Sequence, residues 1–86
     1  MADYDVYIKP SALKELDAIG SKKARQRMVQ TIRALAEDPR PSGCRKLSGK
    51  DKYRIRCGDY RIVYGVQDAD MSLTVVKIGH RREVYR

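Results

Sequence analysis

Tryptophan and phenylalanine are absent from these 86 residues, and six tyrosines supply every aromatic ring. The core must therefore come from Leu, Ile, Val, Met and Ala, with tyrosine rings at its margins. Cysteine is nearly absent too. Cys44 and Cys57 have neither metal-ligand spacing nor a secreted context, so no disulfide framework and no metal site is expected. Cys57 reads as a small core-facing residue and Cys44 as a free thiol in a loop. No apolar run approaches the ~18 residues that a membrane span needs. The opening Met-Ala-Asp-Tyr-Asp lacks the basic region and apolar stretch of a signal peptide. A reducing cytoplasm is the expected setting, with no membrane partner.

Negative charge is scarce as well. Eleven acidic residues face nineteen basic ones, a formal charge of +8. The excess is uneven: residues 44–86 hold eleven basic and five acidic residues and carry +6 of it. A basic patch on one face is the electrostatic footprint of a nucleic-acid binder, although anionic membranes and acidic proteins attract it too. A chain this short makes one domain, 1–86, and buries only about 60–65% of its unfolded surface.

Within that frame the pattern is orderly. Tyr4 to Ile8 alternates and predicts a short strand with Tyr4, Val6 and Ile8 on its apolar face. Pro10 ends it and suits the first turn of a helix, in which Ala12, Leu13, Leu16 and Ile19 recur at helical spacing up to a stop at Gly20. Ser21 is an N-cap for a longer second helix with the stripe Ala24, Met28, Ile32, Leu35 and Ala36. Its basic residues spread around the other faces, as a solvated exterior or a nucleic-acid footprint. Pro39 and Pro41 close it. Residues 39–51 read as a Pro-, Gly-, Ser- and Lys-rich loop, and Gln67 to Ser72 as a polar turn. Leu73 to Ile78 reads as a strand whose nearly continuous apolar run suggests a central, doubly covered place. The expected order is β-α-α-β-β-β, an α+β architecture: an N-terminal strand, a helical hairpin, then a three-stranded antiparallel meander.

Arginine gathers in the meander. Tyr53-Arg54-Ile55-Arg56-Cys57 and Tyr60-Arg61-Ile62-Val63-Tyr64 alternate on either side of Gly58-Asp59, a two-residue turn with Gly first, as type II′ prefers. That register sets Arg56 opposite Arg61 and Arg54 opposite Val63, with Arg54 and Arg56 on one face and Tyr53, Ile55 and Cys57 on the other. Like charges directly across a sheet destabilise it. Arginines kept in that arrangement are expected to face something anionic.

These segments, with Pro10-Ser11-Ala12-Leu13-Lys14-Glu15-Leu16, the Lys46-Leu47-Ser48-Gly49 approach and the tail Gly79-His80-Arg81-Arg82-Glu83-Val84-Tyr85, resemble the RelE/ParE toxin superfamily, and its RelE branch more closely. The resemblance covers almost the whole chain. Each motif is weak alone; the combination is specific. It implies a RelE-like fold and a toxin of a type II toxin–antitoxin system: a ribosome-dependent endoribonuclease that cuts messenger RNA in the decoding site. It also implies a RelB-like antitoxin as partner, with operator DNA reached only through the antitoxin complex, and no cofactor.

Metal-free RNA cleavage needs the ribose 2′-hydroxyl deprotonated, the phosphorane neutralised and the leaving 5′-oxygen protonated. Arg56 and Arg61 suit the second task, because guanidinium is planar, always charged and bidentate towards phosphate. Arg54 positions the RNA backbone, with Lys52 and Arg82 as further RNA-binding candidates. By resemblance, Arg81 supplies charge stabilisation or leaving-group protonation, and Tyr85 stacks on a base. Some relatives carry lysine where this chain has Arg54 and Arg56. Arginine, unlike lysine, does not act as a base. Either the reaction relies on positioning and charge alone, or another group is the base: His80 is the candidate, since an imidazole titrates near 6.5, and Glu83 a weaker one. Alternation from Lys77 puts His80 on the opposite face from Arg81 unless Gly79 breaks the phase. The competing readings are a ParE-type inhibitor of DNA gyrase without RNase activity, and a binding module without catalysis.

Overall fold

The computed structural model describes residues 3–47 and 51–80. Arg81, Arg82, Glu83 and Tyr85 lie outside the described residues. Strand β1 (Asp5–Ile8) turns at Lys9 into helix α1 (Pro10–Asp17), with Pro10 in the first turn, where its missing N–H removes no helical bond. Helix α1 ends at Ala18 in a right-handed conformation, so Gly20 lies in the connection rather than serving as the stop. Helix α2 (Lys22–Glu37) starts as expected: Ser21 Oγ accepts from the Ala24 N–H at 3.1 Å. The Arg25 guanidinium donates back to the Ile19 carbonyl and ties the hairpin turn.

The remaining elements are β2 (Arg45–Lys46), β3 (Lys52–Cys57), β4 (Tyr60–Gln67), a 3-10 turn at Asp68–Asp70 and β5 (Ser72–His80). Strands β3, β4 and β5 form the expected antiparallel meander. Two edges extend it to five strands in the order β1-β5-β4-β3-β2, with β1 parallel to β5 and β2 antiparallel to β3. Strand β2 lies inside the segment expected to be loop. Gly58 has φ 62°, and Met71 is the only non-glycine among the described residues with positive φ, so the hairpin is the glycine-first turn that the sequence predicts.

Both helices pack on one face of the sheet. Ala12 and Leu16 of α1, Ile19 just after it, and Met28, Ile32 and Leu35 of α2 meet Tyr53, Cys57, Ile62, Tyr64, Val66, Leu73, Val75 and Ile78. Strand β5 is central, between β1 and β4, but helices cover only one of its faces: Leu73, Val75 and Ile78 are buried while Lys77 is exposed. A bulge makes this possible. Val63 pairs with Lys77 and Tyr64 with Val75, which leaves Val76 as the extra residue. Val75 and Ile78, three apart, therefore both point inward. Where β5 runs past the end of β1, Glu15 covers its edge, accepting from the Ile78 N–H at 3.0 Å and pairing with Lys77 Nζ at 2.8 Å. An unpaired strand edge is thereby closed.

Candidate active site

Alternation leaves the other face of the sheet to the arginines. Arg56 is paired with Arg61 and Arg54 with Val63, as the hairpin register requires, and Arg45 on β2 is paired with Arg54. Arg45, Arg54, Arg56 and Arg61, with Gly43, line one concavity of about 470 Å³. None of these lining residues is acidic. Arg56 is exposed, and Arg54 and Arg61 are half-buried. The Arg56 guanidinium makes one long contact, Nε to the Gly58 carbonyl at 3.4 Å. Four permanent cations around one hollow can receive an anion, and planar guanidinium forks match phosphate oxygens.

The segment that brings Gly43 and Arg45 to this hollow is held by side chains. Arg40 donates through both terminal nitrogens to Asp68, at 3.2 and 2.8 Å, and through Nε to the Tyr53 hydroxyl at 2.9 Å. Its guanidinium carbon lies 5.1 Å from the Tyr53 ring centre. The Tyr4 hydroxyl donates to the same carboxylate at 2.6 Å. The Arg40 hydrogen bonds, then that of Tyr4, hold Asp68 below the usual carboxylate range, and the bond to Asp68 pushes the Tyr4 hydroxyl up. One residue earlier, the buried Tyr64 hydroxyl donates to the Pro39 carbonyl at 2.7 Å. Burial first, then the neighbouring Cys44 thiol, pushes Tyr64 far above the ordinary tyrosine value.

The structure thus brings together Arg54, Arg56 and Arg61. It adds Arg45, which sequence reasoning missed. Lys52 begins the same strand but borders a separate dent with Asp51, Gly65 and Gln67. His80 is not brought to the arginines. Gly79 keeps the strand phase, opposite Arg61, so His80 pairs with Tyr60 on the helix-covered face, their rings edge to face at 5.8 Å. There it borders a hollow with Glu15, Ile19 and Ile78, and the sheet separates it from the guanidinium groups. The expected roles of Arg81, Arg82 and Tyr85 fall outside the described residues. Among the described residues no three His, Cys, Asp or Glu side chains gather as a metal-ligand set, and no helix is long and apolar enough to cross a membrane.

A strand, a helical hairpin and a meander with a cationic outer face describe a small basic toxin of the kind the sequence resembles. A family model described as the ParE toxin of the type II toxin–antitoxin system parDE matches residues 6–85. Among solved structures, the archaeal RelE–RelB complex from Pyrococcus horikoshii OT3 matches with a TM-score of 0.81 at 28% identity, covering 94% of this chain and 98% of that one. A double arginine-to-alanine mutant of E. coli RelE in the free state is 32% identical, with a TM-score of 0.78 over 99% of this chain and 92% of that one. The intact E. coli RelBE toxin–antitoxin complex matches at 28% identity and a TM-score of 0.77, covering 90% and 95%. A search of curated proteins returned no match. The chain belongs to the RelE/ParE superfamily, the toxins of type II toxin–antitoxin systems.

Proposed function

We propose that this toxin is a RelE-type endoribonuclease that cuts messenger RNA in the ribosomal A site and so stops translation. The observation that carries the reading is the hollow lined by Arg45, Arg54, Arg56 and Arg61 on the solvent face of the sheet. In this mechanism the ribose 2′-hydroxyl gives up its proton to water as its oxygen attacks the adjacent phosphorus, the bond to the 5′-oxygen breaks and that oxygen takes a proton from water, and a 2′,3′-cyclic phosphate remains. Negative charge peaks on the equatorial oxygens of the phosphorane. Preorganised guanidinium groups stabilise that charge more than the ground state. Arg56 and Arg61 take this role; Arg54 and Arg45 grip the flanking backbone, and Lys52 extends the contact. Arg81 adds charge near the leaving oxygen, and Tyr85 stacks on a base. The place of His80 on the helix-covered face supports a reading in which charge and alignment, rather than a histidine base, carry catalysis. The partners are messenger RNA on the ribosome and a RelB-like acidic antitoxin.

A second reading is favoured by one observation: the matching family model is that of ParE. On that reading the toxin poisons DNA gyrase and leaves RNA intact. Mapping transcript 5′ ends after induction separates the two. New ends at codon-phased positions support the nuclease; intact messages with inhibited supercoiling support the gyrase poison. Arg61→Ala is expected to relieve growth arrest while the protein still binds its antitoxin. Full toxicity of that variant would remove the hollow from the mechanism.

A further inference from the structure

Arg45 stands on a strand of two residues, too short to hold itself on the edge of a sheet. The 39–44 segment before it contains a single backbone bond of its own, Cys44 N–H to the Pro41 carbonyl at 3.1 Å, and Gly43 at φ 95°. It is attached to the body of the protein by the Tyr64 hydroxyl on the Pro39 carbonyl, by Cys44 against the core and, at its exposed side, by the Arg40 guanidinium. That one guanidinium joins both oxygens of Asp68, 28 residues away, to the hydroxyl and ring of Tyr53 on β3. Asp68 is itself held by Tyr4, which precedes β1. Neither Arg40 nor Asp68 lines the hollow.

We propose that Arg40 and Asp68 are positioning residues: their clasp fixes where the 39–45 segment meets β3 and so sets Gly43 and Arg45 at the rim of the arginine hollow. The proposal rests on the reading of that hollow as a phosphodiester site. It makes a prediction whose sign opposes simple electrostatics. Asp68→Asn removes a negative charge from an already basic protein, which by charge alone tightens binding to a polyanion. If the clasp positions Arg45, the same change weakens it.

The test uses the full chain and a single-stranded RNA oligonucleotide, with affinity read by fluorescence anisotropy across a salt series. Asp68→Asn, isosteric at an exposed site, is expected to bind several-fold more weakly than the parent. Arg40→Lys, which keeps the charge but loses the fork, is expected to behave likewise. In an Arg45→Ala background Asp68→Asn should cause no further loss, because its effect acts through Arg45. A general loss of fold would instead persist in that background and lower the melting temperature.

Cys44 offers a readout that does not involve RNA. It is half-buried in the clasped segment, while Cys57 is buried in the core. Alkylation of Cys44 by iodoacetamide should accelerate several-fold in Asp68→Asn, with Cys57 unchanged. Equal or tighter RNA binding by Asp68→Asn, a loss that persists in full without Arg45, or unchanged Cys44 labelling overturns the proposal. If Arg45→Ala and Arg56→Ala both bind like the parent while Cys44 labelling still responds to Asp68→Asn, the RNA reading has failed and takes the functional role of the clasp with it.

Discussion

Replacing Arg56 with Gln should make the protein more stable and a poorer ligand for RNA. Arg56 faces Arg61 across the ladder, with Arg54 two residues away on the same face and Arg45 beyond it. At an exposed site with an effective dielectric of about 60–80, a like-charged pair about 7 Å apart costs about 0.6–0.8 kcal/mol. Three such neighbours at increasing distance, partly screened, sum to about 1–1.5 kcal/mol. Against this stands the contact from Arg56 Nε to the Gly58 carbonyl, which at 3.4 Å and in solvent is long. It is worth at most about half a kcal/mol. Repulsion wins. The net gain of about 0.5–1 kcal/mol corresponds to about 3–6 °C in melting temperature for a domain of this size.

Thermal unfolding followed by circular dichroism at about 10 mM and about 1 M salt tests the cause as well as the sign, since screening collapses the interaction range from about 30 Å to about 3 Å. The gain should be present at low salt and gone at high salt. In parallel, the slope of log affinity for RNA against log salt should fall by about one unit. A variant that melts lower than the parent at low salt refutes the reasoning, as does a gain that survives at high salt.

Three further outcomes are expected. Gly58→Ala should cost about 1–2 kcal/mol in urea unfolding, because a side chain at φ 62° is strained; the new Cβ itself would only touch Arg27 Nη1, at 3.7 Å. Tyr64→Phe should cost about 1–3 kcal/mol by leaving the buried Pro39 carbonyl without its donor. It should also change alkaline behaviour: burial raises the folded pKa of Tyr64, so its contribution is complete below the ordinary tyrosine value of about 10 and is lost as pH rises above it. The parent's stability should therefore fall above about pH 10 more steeply than the variant's. For Asp68 the sign reverses. Its folded pKa is lowered, so its contribution is present above the ordinary carboxylate value of about 4 and is lost as pH falls through the lower folded value. The difference in urea midpoint between parent and Asp68→Asn should be flat from about pH 5 to 8 and shrink in acid.

The parts of the fold legible in the sequence were those written locally. Glycine ahead of aspartate fixed a two-residue turn, and from that turn alternation alone set Arg56 against Arg61. Ser21 and Pro10 marked helix starts, and the Met28–Ile32–Leu35 stripe marked the buried face of α2. What escaped depends on partners far along the chain. Strand β2 hides in a loop-like composition: the segment before it is tied down by Arg40, whose partners are 13 and 28 residues away, and by the Tyr64 bond to the Pro39 carbonyl, 25 residues apart. Arg45 escaped with it. The bulge at Val76 was invisible inside an apolar run, since valine suits either face, and without the bulge the inward residues of β5 cannot be assigned. The pairing of β1 with β5 joins residues 67 apart in sequence.

The fold alone does not separate a nuclease from a gyrase poison, because RelE and ParE share one superfamily. The distribution of charge does more. Two cations of the scaffold carry carboxylate partners: Arg40 has Asp68, and Lys77 has Glu15. Around the outer hollow the chain sets two cationic register pairs across the strands, Arg45 opposite Arg54 and Arg56 opposite Arg61, and no acid among the described lining residues. Each like-charged pair works against the sheet. A surface meant for a protein partner gains specificity from mixed charge, whereas a uniform guanidinium array suits a ligand that is itself uniformly anionic and repeats along a chain. A nucleic-acid backbone has that form. An acidic antitoxin would relieve the same repulsion, so binding it should raise the toxin's melting temperature most at low salt, and by less once Arg56 has been replaced.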